Sequence, residues 1–203
     1  CAQRTSDEGT THMGGYNPGP GFSEGSPFNQ SRNNGTRRHK GVDFPAAQGT
    51  TIPCAADGVV VGRGNHSEFG NTAIVKHVDP MSANDKYTLY AHQPDLSEIP
   101  AIGTSVSKGQ KIGEVGSTGR SSGPHLHFEL ISLPAGSWWT EANPWRGGAT
   151  GITGSTGRLD PLSDVNWGGI DFYGKGTVDT VAIGGAEPSL HACQMGHDDF
   201  AVV

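Results

Sequence analysis

The order of apolar and polar residues along the chain predicts a series of short β-strands. Five segments combine β-branched or aromatic residues with boundaries of Gly, Pro, Asn or Asp, a pattern typical of strands. They are residues 58–62, 71–78, 87–92, 111–115 and 125–131. A further candidate strand covers residues 177–183. The regular spacing predicts a mainly β fold, an antiparallel β-sheet or sandwich with long loops.

Composition agrees with this fold class and suggests the domain limits. The chain has 32 glycines and 13 prolines among 203 residues, with 33% hydrophobic residues, which favours turns and short strands over long helices. Residues 1–21 are polar without an apolar period and are interpreted as an N-terminal arm or linker. The predicted domain covers 22–162 with a loop insertion at 132–157, and 163–203 form a Gly-rich C-terminal extension.

Charge and hydropathy exclude two classes of partner. The formal net charge is −6, and the basic cluster of Arg37, Arg38 and Lys40 lacks interleaved aromatic residues, so no nucleic acid is expected. No run of apolar residues is long enough for a membrane-spanning segment. No signal-peptide pattern opens the sequence, so we expect any export signal to lie outside it.

The three cysteines, Cys1, Cys54 and Cys193, are too few for a zinc ribbon or a dense disulfide framework. A bridge between Cys54 and Cys193 and a pair of buried free thiols both remain open. Cys1 fits the acylated cysteine of a lipoprotein as well as a fragment boundary, and we favour the boundary.

Two histidines stand one residue apart in GRSSGPHLHFEL, residues 119–130. Because side chains alternate faces along a strand, His125 and His127 share one face while Leu126 and Phe128 point into a core on the other. The spacing therefore predicts a surface with two imidazoles.

A second pair, His39 and Asp43 in HKGVDF, also shares one face of an extended chain, and His92 ends another predicted strand. Catalytic zinc takes three protein ligands and leaves a fourth position open. His39, Asp43 and one histidine of the HxH pair would suffice, leaving the other for proton transfer. No HExxH helix occurs in the sequence.

These motifs together carry a resemblance. HKGVDFPAAQGT, a strand ending in LYAH, SKGQKIGEVGSTGRSSGPHLHFEL and a later DPL follow the order and spacing of the lysostaphin and LytM type of zinc endopeptidases, across about residues 22–131 and 158–162. The resemblance implies the duplicated-hybrid-like metallopeptidase fold of that family. It also implies that His39, Asp43 and His127 bind one zinc ion, with His92 and His125 beside it as catalytic histidines.

The same resemblance implies a function and a location. We expect a peptidoglycan endopeptidase that cuts stem peptides or cross-bridges outside the cytoplasm. It would be secreted, periplasmic or delivered to a target cell wall, with an antibacterial role. An immunity or inhibitor protein is an expected partner if the chain is a toxin, and we expect a monomer. The 132–157 insertion and the residues after Leu162 depart from the family pattern and leave substrate choice open.

The expected mechanism uses both extra histidines. Zinc lowers the pKa of its water to about 7 and polarises the scissile carbonyl. His92 or His125 then accepts the proton, and the other assists the oxyanion or the leaving amine, with His125 favoured as base. The alternatives are an endopeptidase for Gly-rich proteins and a non-catalytic regulator of other wall hydrolases. A biotinyl or lipoyl carrier is disfavoured because the HxH pair has no role there.

Overall fold

The computed structural model describes residues 15–135 and 157–174, which form an almost entirely β structure. In these ranges there is a single 3₁₀ helix, Asp164–Trp167, and no helix has the length and hydropathy needed to cross a membrane. The strands are β1 (Ser31–Arg32), β2 (Arg37–Arg38), β3 (Val42–Pro45), β4 (Thr51–Pro53), β5 (Gly58–His66), β6 (Gly70–His77), β7 (Asn84–Gln93), β8 (Ser105–Val106), β9 (Lys111–Glu114), β10 (His125–Pro134) and β11 (Arg158–Leu159).

Strand β10 organises the main sheet. The order is β11-β10-β7-β6-β5-β8, and β3 also pairs with β10. Strand β7 runs along one side of β10, while β3 and β11 pair with successive parts of its other side. Two small sheets, β1-β2 and β4-β9, complete the architecture. All of these pairings are antiparallel, so the predicted mainly β, antiparallel fold is confirmed.

The alternation predicted for β10 separates the core from the site. Leu126, Phe128 and Leu130 are fully buried in the larger hydrophobic cluster, where each gains roughly 1.5–3 kcal/mol from burial. His127 lies on the opposite face, and Ile131 joins a smaller cluster around Phe69 there. One face of β10 is thus packed into the larger core, while the other carries His127 next to the smaller cluster.

The larger core includes side chains from both sides of the predicted 22–162 domain. Tyr16 stacks on Phe128 at a centroid distance of 4.1 Å, and its hydroxyl donates to the Pro53 carbonyl at 2.8 Å. On the other side, Trp167 is buried and stacks on Phe172 at 4.6 Å. The limits 22 and 162 stay a prediction, since most of the arm and extension lies outside the described residues.

Each of the five main strands predicted from the pattern is present, and several are longer than predicted. Strand β10 continues to Pro134, which pairs with Asn84 of β7, so the first residues of the predicted 132–157 loop are strand instead. The neighbouring β7 supplies partners that the sequence pattern does not reveal. Residues 136–156 and the candidate strand 177–183 lie outside the described residues.

Cys54 is buried and forms no disulfide within the part of the chain that the structure describes, and its Sγ donates to the Ala56 carbonyl at 3.2 Å. Cys1 and Cys193 lie outside the described residues. Whether Cys54 and Cys193 pair stays a prediction.

Gly41 is required where the chain passes from His39 to Asp43. A Cβ at this position would lie 2.1 Å from the carbonyl oxygen of Phe128 and 2.8 Å from its carbonyl carbon. Both atoms belong to the backbone of β10, which cannot move aside without breaking the sheet. The absence of a side chain therefore allows β3 and the residues before it to approach β10 closely.

We predict that Gly41→Ala lowers the free energy of unfolding by about 1–3 kcal/mol, because the added methyl group overpacks this contact. Gly123→Ala is the matched control, since a Cβ there meets nothing within 4 Å. Denaturant unfolding of both variants provides the measurement. Equal stability of the two variants would show that Gly41 does not set this approach.

Candidate metal centre

Three side chains from distant parts of the chain bring one ligand atom each to a single point. His39 Nε2 lies 3.1 Å from Asp43 Oδ1 and 3.1 Å from His127 Nδ1, and the latter two atoms are 2.9 Å apart. His39 and His127 are buried, and the Asp43 side chain is 15% exposed. The pairing of His127 opposite Asp43 across β10 and β3 makes this convergence possible.

The donor set fits a zinc ion. Imidazole nitrogens and a carboxylate oxygen are preferred zinc ligands, and a tetrahedron with bonds of about 2.0–2.1 Å has edges of about 3.3 Å. The three separations of 2.9–3.1 Å are close to such edges. His39 donates its Nδ1 proton to the Pro27 carbonyl at 2.8 Å, which leaves a lone pair on Nε2. These residues could therefore hold one metal ion with a fourth position open.

A buried ion pair orients His127. Its Nε2 lies 3.1 Å from Glu129 Oε1, and Glu129 Oε2 accepts from Arg158 Nε at 2.8 Å. The side chains of Glu129 and Arg158 are completely buried. The carboxylate fixes the imidazole so that Nδ1 faces Asp43, as expected for a carboxylate behind a metal-binding histidine.

The charges around His127 affect its protonation. Burial by itself lowers the pKa of His127, but hydrogen bonds and charge interactions with Asp43 and Glu129 outweigh burial and raise it to about 9. A metal ion at Nδ1 would displace the proton there, so metal binding is coupled to proton release.

Asp43 divides its two oxygens between neighbours. Oδ1 faces the two histidines, while Oδ2 accepts from Arg32 Nη2 at 2.9 Å. Burial alone would raise the pKa of Asp43, but the neighbouring imidazoles of His127 and His39 hold it well below its usual range. Asp43 is therefore anionic at neutral pH, as a carboxylate that binds a metal ion must be.

His92 and His125 lie beside these three residues with their rings 4.6 Å apart. His92 Nδ1 is 2.7 Å from the Thr118 carbonyl and His125 Nδ1 is 2.8 Å from the Gly123 carbonyl. Because a carbonyl only accepts, each Nδ1 carries the proton, and each Nε2 has a lone pair. His125 Nε2 lies 3.7 Å from Asp43 Oδ1. Both histidines can therefore accept a proton next to the metal ligands.

The position of His92 depends on an unusual backbone conformation. Its φ of 62° falls in the left-handed region, which costs a residue other than glycine about 1–3 kcal/mol. The amide of His92 donates to the Phe69 carbonyl at 2.8 Å, and the His92 carbonyl accepts from Thr118. Burial lowers the pKa of this imidazole to about 4 despite its hydrogen bond to Thr118. The surrounding loops thus hold a neutral imidazole in a strained position.

Gly116 and Gly119 allow backbone segments beside the site to pack closely. A Cβ on Gly116 would lie 2.6 Å from the His92 carbonyl oxygen, and one on Gly119 would lie 2.2 Å from the Gly70 amide nitrogen. The protein's own backbone occupies the space next to both, whereas the space around Gly123 is open.

Two other described histidines, His66 and His77, make hydrogen bonds within the fold. His77 is buried and hydrogen-bonded to the Asp57 carbonyl and the Thr88 hydroxyl, both at 2.8 Å. His66 Nδ1 accepts from the Glu68 amide in the turn after β5. His12, His191 and His197 lie outside the described residues.

The structure brings the five candidate residues together, but the sequence pattern did not reveal the groups that orient them. Glu129 follows His127 by two positions, so the same strand alternation could have placed it on the site face. Arg32 and Arg158 gave no such signal, because both reach the site only through the folding of distant segments.

The sequence of this chain is similar to those of known peptidases. A family model described as Peptidase family M23 matches residues 37–137. Peptidoglycan DD-endopeptidase ShyA of Vibrio cholerae is 45% identical over 94 residues, covering 46% of this chain and 20% of ShyA. The chain thus spans only about a fifth of the length of the curated relatives it matches.

Two solved structures are similar to the fold. The catalytic domain of the prophage-encoded M23 protein EnpA from Enterococcus faecalis has a TM-score of 0.51 and 26% identity, covering 70% of this chain and 91% of that domain. A zinc-containing peptidase from Vibrio cholerae has a TM-score of 0.50 and 28% identity, covering 59% of this chain and 37% of that chain. The similarity confirms the expected M23 metallopeptidase fold.

We predict that Glu129→Gln lowers the free energy of unfolding by about 3–5 kcal/mol, because it removes the charge that compensates buried Arg158. Adding Arg158→Met to this variant should recover much of the loss, since the buried cation is then also gone. Glu114→Gln is the control, because Glu114 pairs with Lys111 in a more exposed position. Urea unfolding gives the comparison. If Glu129→Gln alone were as stable as Glu114→Gln, the assigned role of the buried pair would be contradicted.

Proposed function

Since the chain belongs to peptidase family M23 through residues 37–137, we propose that it is a zinc-dependent peptidoglycan endopeptidase. The substrates proposed are stem peptides or cross-bridges of the bacterial wall. One observation carries the proposal: three ligand atoms lie within 4.8 Å of one another, and two histidines with free Nε2 lone pairs lie beside them.

The residues proposed to hold zinc are His39, Asp43 and His127. A bound zinc ion would lower the pKa of a coordinated water to about 7 and polarise the peptide carbonyl. Arg32 and Glu129 keep the Asp43 and His127 ligand atoms directed towards one another. The chain therefore supplies the ligands in a fixed arrangement before substrate arrives.

The proposed proton path uses the two remaining histidines. We assign His125 as the base, because its Nε2 lies 3.7 Å from the ligand oxygen of Asp43. As the water oxygen bonds to the peptide carbonyl carbon, its proton passes to His125 Nε2. When the carbon–nitrogen bond breaks, that proton is returned to the departing amine. His92 stands next to His125 and is proposed to hydrogen-bond the reacting groups.

The choice of peptidoglycan draws on the relatives. ShyA is described as a peptidoglycan DD-endopeptidase, and it is 45% identical to this chain over 94 residues. Activity on the wall requires action outside the cytoplasm, so we propose an extracytoplasmic location, with secretion and an antibacterial role as the finer hypothesis. A monomer, with an immunity or inhibitor protein as partner if the chain is a toxin, completes the proposal.

The two alternative functions, a non-catalytic regulator and an endopeptidase for Gly-rich proteins, differ in whether they require a complete set of metal ligands. A non-catalytic regulator has no need of a complete ligand set, yet His39, Asp43 and His127 are all present. An endopeptidase for Gly-rich proteins would use the same centre on another substrate. Products released from purified walls distinguish these cases.

We predict that zinc-loaded wild-type protein releases new free amines from purified sacculi, at one type of peptide bond. His92→Ala and His125→Ala should each reduce this rate by about 10²–10⁴-fold, because general acid–base catalysis is lost. Both variants should retain zinc. Muropeptide analysis of Gram-negative and Gram-positive sacculi identifies the bond that is cut.

Asp95→Asn is the control, since Asp95 is exposed and caps a turn through Ser97 away from the cleft. No new termini from any sacculus, despite bound zinc, would overturn the wall-hydrolase proposal. Cleavage of a Gly-rich protein by the same preparation would then support the alternative substrate.

A further inference from the structure

The cleft over the candidate metal centre is strongly cationic, although the whole chain carries a net charge of −6. Two carboxylates, Asp43 and Glu68, line the cleft. Five cationic side chains line it as well: Arg32, Arg37, Arg38, Lys40 and Arg120. Positive charge therefore exceeds negative charge at the site even without a metal ion, and a divalent cation would increase the difference.

Three of the five cations already have an acidic partner. Arg32 pairs with Asp43 at 2.9 Å. Arg37 and Lys40 share Glu68, with Lys40 Nζ 3.2 Å from Oε2 and also 5.2 Å from the centre of the Phe69 ring. A single carboxylate facing two cations leaves excess positive charge on this wall of the cleft.

The other two cations, Arg38 and Arg120, are exposed and form no ion pair within residues 15–135 and 157–174. Among these described residues, the hydrogen-bond partner of the Arg38 guanidinium is the Asn29 carbonyl, at 3.5 Å. Two guanidinium groups thus remain available for a ligand in the cleft.

The backbone that carries Arg120 is held in place. Its amide donates to the Glu68 carbonyl at 2.9 Å, and the neighbouring Gly119 packs against the Gly70 backbone. Arg120 therefore projects from the same rigid wall as the turn that holds Glu68.

We propose that Arg38 and Arg120 form a carboxylate subsite, which selects peptides with a free carboxylate near the scissile bond. This inference rests on the proposed endopeptidase function and specifies its substrate class. A guanidinium group can donate two parallel hydrogen bonds to a carboxylate, which matches the chemistry of the available groups. The ligand belongs to the substrate itself, because both arginines line the cleft that contains His92 and His125.

Two sources could provide this carboxylate: the C-terminus of the peptide and an acidic side chain next to the cleaved bond. Four forms of one branched stem peptide separate them, with both groups free, with either one amidated, and with both amidated. The measurements are kcat/KM for cleavage and affinity for the zinc-loaded His125→Ala protein by calorimetry. The affinity measurement does not depend on cleavage.

The wild type should prefer the peptide with the recognised carboxylate by about tenfold over its amide, the scale of one hydrogen bond to a charged group. Arg38→Gln and Arg120→Gln should each reduce this ratio, and the double variant should bring it close to one. Raising the salt concentration should also reduce the ratio, because exposed charges are screened. Lys108→Gln is the control, since Lys108 pairs with Asp171 away from the cleft.

Equal cleavage and equal binding of free and amidated peptides by the wild type would overturn the subsite. Preference retained in the double variant would overturn its assignment to these arginines. Failure of the endopeptidase proposal has a different signature, because the zinc-loaded wild type would then leave all four peptides and every sacculus intact. In that case the calorimetric ratio alone decides on the subsite.

Discussion

The antiparallel pairing of β3 with β10 is the constraint on which the site depends. It sets Asp43 opposite His127 across two strands that lie more than eighty residues apart in sequence. Gly41 allows this close approach, because any side chain there would meet the backbone of Phe128. A shift of the register by one residue would turn His127 towards the core, so the buried alternation of Leu126 and Phe128 also protects the ligand geometry.

Next to this pairing, the buried ion pair of Glu129 and Arg158 fixes the orientation of His127. Burying these two charges costs desolvation free energy. Arg158 comes from β11, beyond the predicted insertion, and its contact with Glu129 links the far end of β10 to the metal face. Such a pair adds little net stability compared with apolar packing, yet removing one partner is costly. The contribution of this ion pair is to hold His127 in a single orientation. Arg32 orients Asp43 in a similar way, through its hydrogen bond to Oδ2.

Sequence patterns predicted much of this arrangement, for identifiable reasons. The long strands β5, β6, β7 and β10 carry enough alternating apolar residues to be recognised, and the HxH spacing placed His125 and His127 on one face. Strands of two or three residues, such as β1, β4 and β8, have too few positions for alternation to be visible. The ion pairs of Arg32 and Arg158 depend on tertiary contacts, and the left-handed backbone of His92 depends on the loops around it.

The central claim is a division of labour among four histidines: His39 and His127 bind zinc, whereas His92 and His125 remain free for proton transfer. X-ray absorption at the zinc edge tests it most directly, on wild-type protein, His92→Ala and His125→Ala, each loaded with one equivalent of zinc. The account predicts two imidazole nitrogens at about 2.0–2.1 Å together with oxygen ligands, unchanged in both variants. A third imidazole in the wild type, or the loss of one in either variant, would contradict it.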